Sequence, residues 1–297
     1  MKYNFKGWHS YEWAMFKTIF VMKIQNKSLI KTTRKNCDDL FLYDLMKERY
    51  LLREEYKIED ITMTALVHFL GLLSSITLAV TDLGELVFQD DFERSESQEK
   101  KDEPGMGWAT NSNKRAQGDK QVDLKDGSMH IFISPRADHA VSVTHPFEFR
   151  NGSVAMRFLL EDKKDSLGLN FADLNFKGVH AGHLFVARIY SNRVEITDLK
   201  TGAMRKDIRE TRKAKKTLSD EQNNALKDKS MRFDKETATG KWHNLLVTVS
   251  GDQLSLELNG QQVGSFKSPG ISHPTKRMLR LSVPRNVMVD DVKLWKK

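Results

Sequence analysis

The stretch from Gly240 to Pro269 constrains the fold more than any other part of this 297-residue chain. Leu245, Val247 and Val249 alternate with polar or smaller neighbours, Leu254, Leu256 and Leu258 repeat the alternation, and Val263 and Phe266 close it. An apolar residue at every second position turns one face of a strand toward a core. Gly251-Asp252 separates the first two runs and Asn259-Gly260 the last two. Asn-Gly is a strong signal for a type I′ turn, because both central residues must reach positive φ. The segment predicts a three-stranded antiparallel meander with one buried face.

Similar runs recur through most of the chain. Strands are predicted over 85–89, 128–133, 140–144, 153–160, 167–171, 183–190, 193–198, 242–250, 253–258, 262–267, 278–283 and 287–295. Short strands in this number, with turn residues between them, specify an all-β, antiparallel two-sheet sandwich. The closing run from Val287 to Trp295 is expected to pair with the opening one, Leu86 to Phe92. The segment from Arg205 to Ala238 breaks the pattern, being dense in charged residues with Leu218, Leu226 and Met231 as its apolar anchors. Ser219, followed three residues later by Gln222, is a capping-box signal, so one or two surface helices are expected there. Lys213, Lys215 and Lys216 make this insert locally basic. A solvated helix face is favoured over a landing patch for phosphate or acidic sugar, because acidic residues follow directly.

The first eighty residues have a different character. From Thr64 to Val80 no residue is charged unless His68 is protonated. That is short for a membrane-spanning helix, which needs about 20 apolar residues, but it suits the apolar centre of a secretory signal, with Thr77 and Ala79 as small residues near a cleavage point. Sixty-two residues precede Met63. Two readings follow: a start assigned too far upstream, which is favoured, or an uncleaved anchor at 64–80 with residues 1–62 on the cytoplasmic side. A buried core helix is a third, less favoured. Twelve Lys/Arg against nine Asp/Glu in residues 1–62 agree with the positive-inside tendency. A short charged helix is expected over Lys47 to Lys57. The expected organisation is an extension over 1–62, a signal or anchor over 63–80, and a sandwich over 81–297 carrying the insert 205–238. An exported location follows, in the periplasm, cell envelope or exterior. Mass spectrometry of the mature N-terminus decides between the readings.

Composition narrows the function classes modestly. A net charge of +8 suits contact with anionic polymers or surfaces, but charges of both signs interleave through most of the chain. Cys37 is the only cysteine, which excludes an internal disulfide framework and a cysteine-built zinc site.

The strand pattern, the Trp242-His-Asn-Leu-Leu-Val-Thr-Val run with its Asn259-Gly260 turn, and the closing Asp290-Asp-Val-Lys-Leu-Trp together resemble concanavalin A-like lectin/glucanase domains. The strand-turn-strand phrase is similar to laminin-G-type modules. The opening Phe88-Gln-Asp-Asp-Phe and the closing Val289-Asp-Asp-Val resemble the exported bacterial branch grouped with 3-keto-disaccharide hydrolases. The resemblance covers residues 85–297 and implies a jelly roll whose concave sheet or rim loops hold a carbohydrate. One departure matters: the glucanase Glu-x-Asp-x-(x)-Glu strand does not occur. Glu195 and Asp198 lie three apart and fall on opposite faces of an extended strand, whereas retaining hydrolysis needs two carboxyl groups about 5–5.5 Å apart. A laminarinase-type activity is not expected.

Three polar clusters are candidate sites. Arg136, Asp138 and His139 lie in a turn after Pro135, where a guanidinium fork can clamp hydroxyl groups or simply brace the turn. Asn170 and Asp173, followed by His180 and His183, offer a general base of near-neutral pKa with a carboxylate, so His180, His183 and Asp173 are the candidate catalytic residues. His-x-x-His without helical context is a weak metal signal and no metal is assigned. Trp108 with Arg115, Gln117 and Asp119 sets an aromatic face beside planar polar groups, as sugar recognition requires, and Lys276 lies in a late loop that can join the same rim. Trp108 as a core residue is the favoured alternative. No cofactor is identified. The leading expectation is an exported carbohydrate-binding jelly roll. A hydrolase or lyase acting on 3-keto-type glycosides is the alternative, and an electrostatic adaptor using the basic insert is a third. Nucleic acid is not an expected partner, because the insert lacks interleaved aromatic and basic residues.

Overall fold

The computed structural model describes residues 82–297. The extension, the apolar run at 64–80 and the helix expected over Lys47 to Lys57 lie outside the described residues. No described helix is long and apolar enough to cross a membrane.

Among the described residues, fifteen strands form two antiparallel sheets. The larger sheet contains β1 (Glu85–Asp90), β3 (Val122–Lys125), β4 (Ser128–Phe132), β6 (Gly152–Leu159), β11 (Trp242–Ser250), β12 (Gln253–Leu258), β13 (Gln261–Lys267) and β15 (Asn286–Lys296). They run in the order β13-β12-β11-β6-β15-β4-β3, with β1 also on β15. The second sheet contains β2 (Ala109–Thr110), β5 (Val141–Phe149), β7 (Ser166–Ala172), β8 (His183–Tyr190), β9 (Arg193–Asp198), β10 (Ser230–Asp234) and β14 (Lys276–Val283). Its order is β10-β9-β8-β7-β14-β5-β2. This is the expected all-β jelly-roll sandwich, and the two terminal strands pair as anticipated, Leu86 opposite Trp295 and Asp90 opposite Val292.

The meander forms as its turn chemistry dictates. Asn259 and Gly260 have φ of 53° and 74°, the two left-handed residues of a type I′ turn. Leu245 lies opposite Leu258, Val247 opposite Leu256 and Val249 opposite Leu254. These residues face Leu167, Leu169, Ile196, Leu279 and Leu281 from the second sheet in one continuous core. Phe149, Phe171 and Phe185 extend that core as an aromatic column, with centroids 5.7 and 4.9 Å apart.

Three strands go beyond the sequence expectation: β2, β3 and β10. The charged insert begins with two helices, α2 (Lys206–Lys213) and α3 (Asp220–Ala225), α1 (Ser112–Arg115) having come earlier in the chain. Ser219 Oγ accepts from the Gln222 N–H, and Gln222 Oε1 accepts from the Ser219 N–H, so the capping box is complete. The insert then ends in β10, which adds to the edge of the second sheet with Arg232 opposite Glu195. An edge strand needs ladder bonds on one side only, and here Phe233 is its partly buried anchor against the core. Its charged flanks disguise that role.

Candidate functional site

The outer face of the seven-stranded sheet is where the chain gathers uncommitted polar groups. Register places Gly168 of β7 between Ser282 of β14 and Arg188 of β8. The next outward row sets Asn170 between Arg280 and Val186, with Thr144 beyond Arg280. All seven residues of β7 are buried, the outward-facing ones included, and Asn170 is only 5% exposed. The arginines on either side stand higher than this floor. A methyl group added at Gly168 would lie 3.5 Å from Arg188 Nη2, so the Arg188 side chain reaches across the glycine. The outward side of β7 here is a strip of glycine and amide overlain from its flanks by longer polar side chains.

His183 lies at one end of this strip, opposite Ala172. Its Nδ1 is 3.1 Å from Asn170 Oδ1, and Arg280 Nη1 is 3.0 and 3.2 Å from the two ring nitrogens. A guanidinium has donors only, so the imidazole beside it must be neutral; Nδ1–H donates to Asn170 and Nε2 accepts from Arg280. Burial first, and then the Arg280 charge, push the His183 pKa down to about 3. His180 sits in a short 3-10 turn, His180–Gly182, with its ring centroid 6.5 Å from that of His183. Burial and the charges of Arg209 and Lys213 lower its pKa as well.

Asp173 does not join these histidines. Its buried carboxylate accepts from His273 Nε2 at 3.1 Å, Arg277 Nη1 at 2.8 Å and the Asn175 N–H at 2.9 Å. Burial acts to raise its pKa, but these donors outweigh it and hold the carboxyl below the usual range. The anticipated His180–His183–Asp173 grouping is therefore split. His183 turns toward Asn170 while Asp173 is committed to strand β14 and the loop before it. A base with a pKa near 3 and no carboxylate behind it is weak at neutral pH.

The other two clusters converge on each other. Arg115 Nε lies 3.1 Å from Asp138 Oδ1, and the Arg136 guanidinium is paired with Asp119, with Gln117 Oε1 at 3.5 Å. Ser134 Oγ donates to Asp119 at 2.5 Å. These contacts knit the loop after α1 to the turn after β4, near the β2 edge of the same sheet, and they use most of the fork that was expected to clamp hydroxyls. His139 is exposed beside them, with Nδ1 2.9 Å from the Ala140 carbonyl. Trp108 is a core residue: it is 6% exposed, packs against Phe88, Phe92 and His145, and donates from Nε1 to Asp90 Oδ2 at 2.8 Å. Lys276 is equally inaccessible, at 1% exposure. Its Nζ donates to the Arg150 carbonyl at 2.6 Å and lies 5.5 Å from the Phe149 ring centroid. Neither can face a ligand, because each carries a long apolar body that packing has drawn inside while its polar tip found a partner there.

Glu195 faces outward while Asp198 is fully buried, as their spacing requires. Glu195 Oε1 accepts from Arg193 Nε at 2.6 Å. Asp198 accepts from the Thr201 N–H and Oγ1, Ser268 Oγ and the Gly270 N–H, which makes it a structural clamp. Glu96, Glu99 and Asp123 have metal-like spacing, yet Lys120 Nζ already sits among them at 2.7, 3.3 and 2.5 Å. A concavity of about 400 Å³ beside β1 and β15 is lined by none of the candidate site residues, though Gln89, Asp90, Asp91, Asp291 and Val292 from the opening and closing runs line it. Arg188 and Arg280 were missed. Their signal is a charged residue at the outward position of an apolar strand, which is also the commonest kind of solvated position.

No protein-family model matches this chain, and no curated protein matches it in sequence. Among solved structures, it is similar to a carbohydrate-binding module from Bacillus subtilis, at 9% identity and TM-score 0.43, over 64% of this chain and 95% of that one. It is similar to a laminarinase from Flavobacterium sp. UMI-01, at 11% identity and TM-score 0.46, over 71% and 100%. The laminarinase catalytic domain from Thermotoga maritima follows at 12% identity and TM-score 0.44, over 72% and 98%.

Proposed function

We propose that this chain is a carbohydrate-binding sandwich whose ligand lies on the outer face of the seven-stranded sheet. The observation that carries this reading is the strip formed by Gly168 and Asn170, outward-facing residues that are buried and flanked by Arg188 and Arg280. Planar amide and guanidinium groups match the hydroxyls of a sugar. The hydrolase or lyase alternative is less well supported, because His183 is held neutral as a weak base and Asp173 points elsewhere. Export belongs to the same proposal and rests on the apolar run at 64–80.

A blocking variant tests the site. Ser282→Trp, opposite Gly168, would cover this strip from β14 without removing a charge. Native gels containing single polysaccharides, neutral and acidic, are expected to retard the intact chain in at least one case. The Ser282→Trp chain should lose that retardation, while Leu246→Trp on the opposite sheet keeps it. Failure of every polysaccharide to retard the protein, or retention unchanged in the blocked variant, would refute the assignment.

A further inference from the structure

The arginines of this domain have a consistent habit. Arg94, Arg115, Arg157, Arg193, Arg205 and Arg277 are all at least partly buried, and each is paired with a carboxylate. Arg188 and Arg280 are withdrawn from solvent to a similar degree, and neither meets a carboxylate among the described residues. Both lie on the same face, on the two strands that flank β7. Arg280 donates to a neutral imidazole and, at 3.4 Å, toward the Ala181 carbonyl. Arg188 crosses Gly168. A partly desolvated guanidinium without an anion is costly, and here two stand on the strands flanking β7, Arg188 beside Gly168 and Arg280 beside Asn170. The nearest outward carboxylate, Glu195, lies opposite Arg188 in register but is bound by Arg193.

We propose that the sugar bound on this face is acidic, and that Arg188, beside Gly168, and Arg280, beside Asn170, receive its anionic group over this stretch of β7. The inference rests on the reading of this face as a glycan site and deepens it. A ring carboxylate and a sulfate ester share the chemistry required, which is oxygens able to accept two or more N–H donors from planar forks. Neutral His183 suits the task, since its Nδ1–H holds Asn170 in place and its Nε2 orients Arg280. The bound anion replaces the missing carboxylate. Burial of Arg280 lowers its pKa, which is the electrostatic cost that such an anion relieves.

The test uses the full chain against alginate as polyuronate, heparin as sulfated polymer, and laminarin and pullulan as neutral glucans, at two salt concentrations. Binding to an acidic polymer is expected, with Arg188→Gln and Arg280→Gln each weakening it by about tenfold or more. Arg280→Lys should recover part of the loss by restoring charge without the fork, and Arg212→Gln on the exposed face of α2 should leave binding unchanged. Preference for alginate assigns a uronate and preference for heparin a sulfate ester. Thermal melts of each variant exclude unfolding as the cause. Binding confined to neutral glucans, blocked by Ser282→Trp but indifferent to both arginines, would overturn this inference and leave the glycan site standing. Acidic binding that survives both glutamine substitutions would overturn it too. No binding to any polymer would remove the site itself.

Discussion

Lys276→Met turns the most unusual placement in the core into a measurement. Desolvation, with smaller effects from the Arg150 and Lys200 charges, pulls the Lys276 pKa from 10.5 down to about 8. Each pKa unit is worth about 1.4 kcal/mol, so the gap amounts to about 3 kcal/mol. The sign follows from proton binding. Below pH 8 the ammonium is protonated in both folded and unfolded chains, and stability does not depend on this group. Between pH 8 and 10.5 the unfolded chain keeps a proton that the folded chain has released, so stability rises with pH. Above 10.5 both are neutral and the rise stops. Met has the same reach and no charge. Stability of the natural protein relative to Lys276→Met should therefore climb by about 3 kcal/mol across that window, because other titrating groups cancel in the difference. At neutral pH the variant should be close to the parent or more stable, as the lost bond to the Arg150 carbonyl is set against removal of a buried charge. Urea denaturation of both proteins at half-unit steps from pH 7 to 10.5 supplies the curve. A difference that stays constant within about 0.5 kcal/mol would show that Lys276 is solvated in solution and that the burial argument is wrong.

Two further predictions concern local devices. Asp198→Ala removes the acceptor of four bonds joining the turn after β9 to the loop after β13. It should cost about 3 kcal/mol or more in urea, because two backbone N–H groups lose their partner; a loss below about 1 kcal/mol would refute the clamp. Gly260→Ala meets no atom within 4 Å of the added Cβ, so its expected cost of about 1 kcal/mol measures the positive φ alone. An unchanged midpoint would mean that the turn is not type I′ in solution.

The strands were legible because each is specified locally. Alternation around Leu245, Leu254 and Val289 decides which face goes inward, and Asn259-Gly260 permits only a tight reversal. β10 was hidden because an edge strand with one anchor, Phe233, carries too little alternation to stand out from its charged neighbours. The site was less legible. The sequence pointed to Asn170 and His183, but it grouped His183 with Asp173 because they are close in the chain. It also offered Trp108 and Lys276 as ligand contacts because their side chains are chemically suited to that role.

What the sequence determined by itself was an antiparallel sandwich with paired ends and a helical insert, since side-chain period and turn chemistry act over a few residues. Only the tertiary structure decided the candidate site. Arg188 and Arg280 are ninety-two positions apart in the chain and come to flank one strand because β8 and β14 both dock on β7. The same strand order buried Trp108 and Lys276. Which strand lies beside which is a property of the whole core, and no local run of residues encodes it.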